Sequence, residues 1–234
     1  MIALRRNDAR HYVRQGKVAW WQTFYAPEPP VRTDQGLGTL ANIDELRIEP
    51  SGGTAPRPWS ESEVLTYVYQ GALVQTSADG GSDTLQAGEF QRMSSGPCVS
   101  HEETNASATN GVHFFQIALH AQPGDIESGC EQRRFTSAHR RNRLCLVASS
   151  DGRQGSLRMA RDVCILSSKL DPGHHLIHEL RPDRRAWVHI VHGEATLCDH
   201  LLVQGDGVGV TGEPSVSLTA GVSTELLLID VRSP

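Results

Sequence analysis

The chain has 234 residues, 38% of them hydrophobic and 21% charged, which is ordinary globular usage and enough for one large domain or two small ones. Its 22 Lys and Arg stand against 27 Asp and Glu, a formal charge of -5, and without basic runs this argues against a nucleic-acid surface. No stretch approaches the roughly 20 apolar residues of a membrane span, and MIALRRNDARHYVRQ lacks the apolar centre of a signal peptide, so a soluble cytoplasmic protein is expected.

In chain order, the segment VAWWQTFYAPEPP (18–30) reads as strand and then turns proline-rich, a candidate cover for a barrel mouth or an exchange between subunits. VLTYVYQGALVQTS (64–77), VHFFQIAL (112–119), RLCLVASS (143–150), DVCILSSKL (162–170), AWVHIVHGEATL (186–197) and TELLLIDV (224–231) follow. All are rich in β-branched and aromatic residues, with Gly, Pro and Asp between them. ESEVLTYV has a helix-like composition, but Gly71 and the β-branched content favour a strand. Short, regularly spaced strands predict an all-β sandwich or barrel. The cysteines (Cys98, Cys130, Cys145, Cys164 and Cys198) are an odd number without a CxxC pair, which suits a reducing compartment.

An internal echo divides the chain. TYVYQGAL and LQAGEF (85–90) in the first half answer VHIVHGEA and LVQGDG (202–207) in the second. A repeat of half the chain length implies two similar β-domains in tandem. The polar stretch SAHRRNR (137–143) supplies the boundary, giving domains 1–136 and 137–234.

SHEETN (100–105) is the stretch with chemistry in it. His101 and Glu103 are two apart, so on an extended chain both side chains point to one face. That spacing suits half of a metal site, or what remains of one.

SEVLTYVYQGAL, LQAGEFQRMSSG, HEETN and VHFFQIAL with CEQRRF together resemble the N-terminal cupin of the pirin family. The second half, from LVASSDGRQGSLRM through LDPG to LLLIDV, is similar to the second cupin of bacterial pirin-like proteins. The resemblance implies a bicupin of two double-stranded β-helix (jelly-roll) barrels. It also implies, for some members, iron or another divalent metal in the first barrel and dioxygen-dependent cleavage of flavonols such as quercetin.

Carried over residue by residue, the resemblance gives half a ligand set. The family's His-x-His falls on Arg57 and Trp59. His101 and Glu103 match the second motif, with Asn105 closing it, and Glu63 falls where the first motif's glutamate is expected, in phase with Arg57 and Trp59 if the strand is regular. A catalytic divalent ion takes three or more protein donors. Guanidinium has no lone pair and repels a cation. The expectation is therefore no resident cofactor: Arg57 replaces the metal's charge and pairs with Glu103 or Glu63, while Trp59 walls a flat ligand. Gln91 and Gln116 are candidate lining residues.

Three readings stay open. His101, Glu103 and Arg57 form a structural polar network that plugs the barrel; or they form a pocket in which His101 and Glu103 are an acid/base pair and Arg57 holds an anionic oxygen; or His101 and Glu103 hold iron, manganese, copper, nickel or zinc with other donors. The corresponding functions are a metal-independent binder or enzyme for a small aromatic or anionic compound, which is the leading reading, a metal-dependent quercetin 2,3-dioxygenase-type oxygenase, and a non-enzymatic redox-response or regulatory partner. The expected partner is a small molecule, with neither nucleic acid nor membrane, and the oligomeric state is open. In GHHLIHEL (173–180), His174 and His178 share a face that His175 does not, while His189 and His192 flank a glycine turn; none repeats the first-barrel motif. EQRR and RPDRR read as solvated surface or as ion pairs between barrels.

Overall fold

Each of the six apolar runs folds as strand, because residues that alternate between two buried faces gain most in a sheet covered on both sides. The computed structural model describes residues 1–24, 36–58, 62–77, 80–94, 100–120 and 129–233, with the backbone alone at 57, 58 and 100. In chain order the strands begin β1 (Ile2–Arg5), β2 (His11–Gln15), β3 (Val18–Gln22), β4 (Leu40–Ile48), β5 (Arg57–Pro58) and β6 (Ser62–Gln70). They continue β7 (Ala72–Ser77), β8 (Ser82–Gln86), β9 (Glu89–Ser94), β10 (Ser100–Asn105), β11 (Val112–His120) and β12 (Gly129–Arg134). Next come β13 (Cys145–Ser149), β14 (Leu157–Arg158), β15 (Val163–Leu170), β16 (His175–Glu179) and β17 (Arg184–His192). The last are β18 (Glu194–Leu197), β19 (His200–Val203), β20 (Gly207–Thr211), β21 (Ser215–Ala220) and β22 (Thr224–Arg232). The SAHRRNR boundary holds the short helix α1 (Ser137–Arg140), capped by the Thr136 side chain.

The first barrel pairs a large sheet, β12-β9-β6-β11-β4-β3-β2, with a small one, β5-β10-β7-β8. The second repeats this plan with β1-β20-β17-β22-β15-β13-β14 and β16-β21-β18-β19. Gly71 and Gly193 occupy the same turn in each, at φ 82 and 81. A Cβ there would sit 2.6 Å from the Gly111 carbonyl oxygen in one barrel and 2.3 Å from that of Ser223 in the other, so only glycine lets the chains approach. Two residues before each glycine the register slips by one, at Tyr69 and at Val191, the same bulge used twice.

One strand breaks the simple division of the chain. A boundary after residue 136 assigns the N-terminus to the first barrel, yet Met1–Arg10 and residues 36–40 cluster with the second. β1 pairs with β20 from Ile2↔Val210 to Arg5↔Gly207 and takes the outer place that β12 takes beside β9 in the first barrel. Buried Asp206 secures it, accepting from Arg6 Nη1 at 2.7 Å and from the Asn7 amide at 2.8 Å.

Candidate functional site

The inward faces of the first barrel are set by its apolar end near Gly71, where Val68, Phe114, Leu73, Leu85, Leu46 and Ile48 form one cluster. One pleat further from the turn, the interior becomes polar. On the large sheet Gln91, Thr66 and Gln116 are cross-strand neighbours; on the small sheet Glu103, Gln75 and Asp83 are. Three hydrogen bonds tie the two rows across the barrel. Gln91 Nε2 donates to Asp83 Oδ2 at 3.3 Å, Gln75 Nε2 to Thr66 Oγ1 at 3.4 Å, and Gln116 Nε2 to Glu103 Oε1 at 2.9 Å. Carboxylates only accept, so the amides of Gln91 and Gln116 have one orientation.

Glu103 is fully buried. Its second oxygen accepts from the Thr54 hydroxyl at 2.8 Å, and that hydroxyl accepts the Glu103 amide at 3.0 Å. His101 lies one pleat further out, buried, opposite Ser77 on β7 and opposite Arg57 on β5. Asn105, at the inner end of the motif, is a turn organiser: its amide donates to the carbonyl oxygens of Ile48, Glu49 and Asn110, and its oxygen accepts the Ser107 amide.

Of the residues singled out in the sequence, His101, Glu103, Gln91 and Gln116 face one interior. Glu63 does not. It is three residues from Thr66 in a regular strand, so it points to the opposite face of the large sheet, where it pairs with Arg92 at 3.6 Å. Arg57 is placed by its backbone, directly across from His101; its side chain and the whole of Trp59 lie outside the described residues. Thr54, Thr66, Gln75 and Asp83 were not picked out in the sequence. Thr66 and Gln75 carried a signal, being polar residues at inward positions of apolar strands, whereas Thr54 sits in a turn segment without a motif.

The five buried positions of this layer are hydrocarbon in the second barrel, while the exposed sixth, Asp83, matches exposed His200. Register from the shared glycine and bulge matches Gln91, Thr66 and Gln116 to Val208, Val188 and Leu228, and Glu103 and Gln75 to Leu218 and Leu197. All five belong to the apolar core of that barrel. His101 corresponds to Val216, and Arg57 to His178. His178 is bonded through Nε2 to Asp230 Oδ2 at 2.9 Å. Arg184, from RPDRR, differs from the expected solvated surface. It is buried, donating to Asp230 Oδ1 at 2.6 Å and to Asp162 at 2.5 Å. His175 bonds Ser217 Oγ at 2.8 Å.

For a metal, the described donors are His101 and Glu103, and no group of three or more His, Cys, Asp or Glu side chains comes together among the described residues. Arg57 and Trp59 bring no lone pair to the set. Among the described residues these two donors fall short of the three or more protein ligands that a catalytic divalent ion takes.

Two barrels of this kind in tandem make the chain a bicupin. It belongs to the pirin family: residues 29–119 match Pirin and residues 146–231 match the quercetinase C-terminal cupin domain. Over 231 residues, 99% of each chain, it is 31% identical to the quercetin 2,3-dioxygenase of Escherichia coli K12. The crystal structure of YhhW from Escherichia coli is similar at a TM-score of 0.91 and 30% identity, covering 100% of this chain and 99% of that one. The crystal structure of the bacterial pirin YhhW in complex with nickel(II), also from Escherichia coli, is similar at 0.90 and 30%, with 100% of both chains covered.

Proposed function

We propose that the first barrel binds a small aromatic or anionic compound at His101 without a resident metal, its old metal site having become an organic-cation site. The observation that carries this reading is the contrast between the two barrels. The second fills the five buried positions of the layer beneath the mouth with Val and Leu, so the fold does not require polar side chains at them. Replacing a buried polar network by hydrocarbon is often neutral or stabilising, so five buried polar side chains tied across the first barrel are a cost to stability that a site explains. The backbone register of Arg57 opposite His101 supports a permanent cation in place of a metal ligand. In this reading Arg57 holds an anionic oxygen of the ligand, His101 gives or takes its proton, and Glu103, held by Thr54 and Gln116, balances the charge.

The test is metal content. Protein purified without chelator and reloaded separately with iron, manganese, copper, nickel and zinc is expected to hold well under one ion per chain. Arg57→His combined with Trp59→His is expected to gain one. Near-stoichiometric metal in the native protein, lost in His101→Ala, would overturn the proposal.

That outcome would favour a second reading, a metal-dependent oxygenase of the quercetin 2,3-dioxygenase type. It is supported by the curated relative of that name and by the nickel complex of YhhW. Oxygen uptake with quercetin would then be the next measurement.

A further inference from the structure

The first barrel has an open seam, between the edge segment that runs along β10 and the β2–β3 hairpin of the large sheet. Gly53 bridges to Thr104 there, and Gly53 and Thr54 stand at the edge. A cavity of about 280 Å³ fills the seam, lined by Val13 and Gln15 of β2, Val18 and Trp20 of β3, Leu46 of β4, and Gly53, Thr54 and Ala55. Its floor is the barrel core, since Val18 and Trp20 pack against the cluster that contains Leu46. Its rim is held firmly. Lys17 Nζ donates to the Pro50 carbonyl oxygen at 2.9 Å, and a Cβ on Gly53 would meet Thr104 Cγ2 at 2.8 Å.

We infer that this seam cavity is a second ligand site, for a neutral aromatic compound of one or two fused rings bearing an O–H or N–H group, coupled to Glu103 through Thr54. Four observations fix the chemistry. None of the lining side chains carries a charge, so an ionised ligand would lose its hydration without compensation. Trp20, Leu46, Val18 and Val13 form an apolar wall suited to a ring face. The volume exceeds the roughly 150 Å³ that holds benzene in a closed apolar cavity. The Thr54 hydroxyl spends its proton on Glu103 Oε2 and one lone pair on the Glu103 amide, which leaves one lone pair to accept from a ligand donor. A ligand bonded to Thr54 touches the residue that holds the buried carboxylate. The two sites are then linked, and linkage is reciprocal.

The site is separate from the mouth at His101, and the inference stands whether or not the mouth takes a ligand. The test is a titration of the full-length protein with phenol, followed by amide NMR shifts, with benzoate and toluene as comparison probes. Saturable phenol shifts are expected at Val18, Trp20, Gly53, Thr54 and Glu103, with benzoate at least tenfold weaker. Thr54→Val should weaken phenol severalfold and leave toluene unchanged. Ala55→Trp should abolish the shifts while second-barrel amides such as Val188 and Ile229 stay in place, which shows that the fold survives. His101→Ala should leave phenol binding as it was. No saturable shift, or equal binding of benzoate, overturns the inference and leaves the metal experiment on the mouth unaffected. Phenol shifts lost in His101→Ala overturn it too, by moving the ligand to the mouth.

Discussion

Gln116 Nε2 donates to Glu103 Oε1 at 2.9 Å from the opposite sheet, so this bond crosses the interior of the first barrel. Gln116→Leu removes one of two side-chain donors to a fully buried carboxyl group. The expected cost is about 2 to 3 kcal/mol, the upper part of the range for a lost bond to a buried polar group. Glu103→Leu combined with Gln116→Leu should recover most of it, because both ends become apolar as they are in the second barrel. Urea unfolding midpoints of the two single variants and the double variant measure the coupling. Additive losses would mean that the bond is not a unit.

Gly71 and Gly193 do the same work in the two barrels and should respond alike. Gly71→Ala and Gly193→Ala each combine a left-handed φ with a Cβ inside contact distance of a carbonyl oxygen, at 2.6 and 2.3 Å. Each should cost more than about 2 kcal/mol, against about 1 for strain alone. Gly212→Ala is the comparison, with φ +70 and nothing within 4 Å of its Cβ. Thermal unfolding of the three variants should separate the first two from the third.

The N-terminal strand should stabilise the far end of the chain. Removing residues 2–6 leaves β20 as an open edge and takes the Arg6 partner from Asp206. Amide exchange should then quicken at Gly207 and Gly209, whose N–H groups face β1 in the same phase as Thr211, which donates to the Met1 carbonyl oxygen at 3.0 Å, and stay unchanged at Val64 and Leu65. Asp206→Ala should cost about 2 kcal/mol, below the usual 3 to 5 for breaking a buried pair because Arg6 is half exposed.

Thiol chemistry should sort the cysteines. Partial burial, with the Asp83 carboxylate adding to it, pushes the Cys130 thiol up to about 11 from 9.0. Burial also raises Cys145. A raised acid contributes stability that is present below its unfolded value and lost as pH climbs through the folded one, here between 9.0 and about 11. Cys130 and Cys198 are both exposed, yet alkylation of Cys130 at pH 8.5 should lag that of Cys198 by roughly tenfold or more, and the gap should narrow towards pH 11. Asp83→Asn should narrow it. Peptide mass mapping over a pH series reads each site.

By itself the sequence determined that the chain is two β-barrels built on one plan. Local physics sufficed, because alternation and glycine turns such as Gly71 and Gly193 need only neighbouring residues. It also brought His101 and Glu103 to one face, since two residues apart on a strand is enough. Tertiary structure alone decided the rest. Which face of β6 looks inward depends on register, and that sends Thr66 to the interior and Glu63 away from it. The polar layer joins residues from Thr66 to Gln116 across two sheets, and Thr54 reaches Glu103 from 49 residues away, so no local pattern announces either. β1 serves the second barrel because an edge strand pairs with whatever unpaired backbone the fold brings beside it, however distant in the chain.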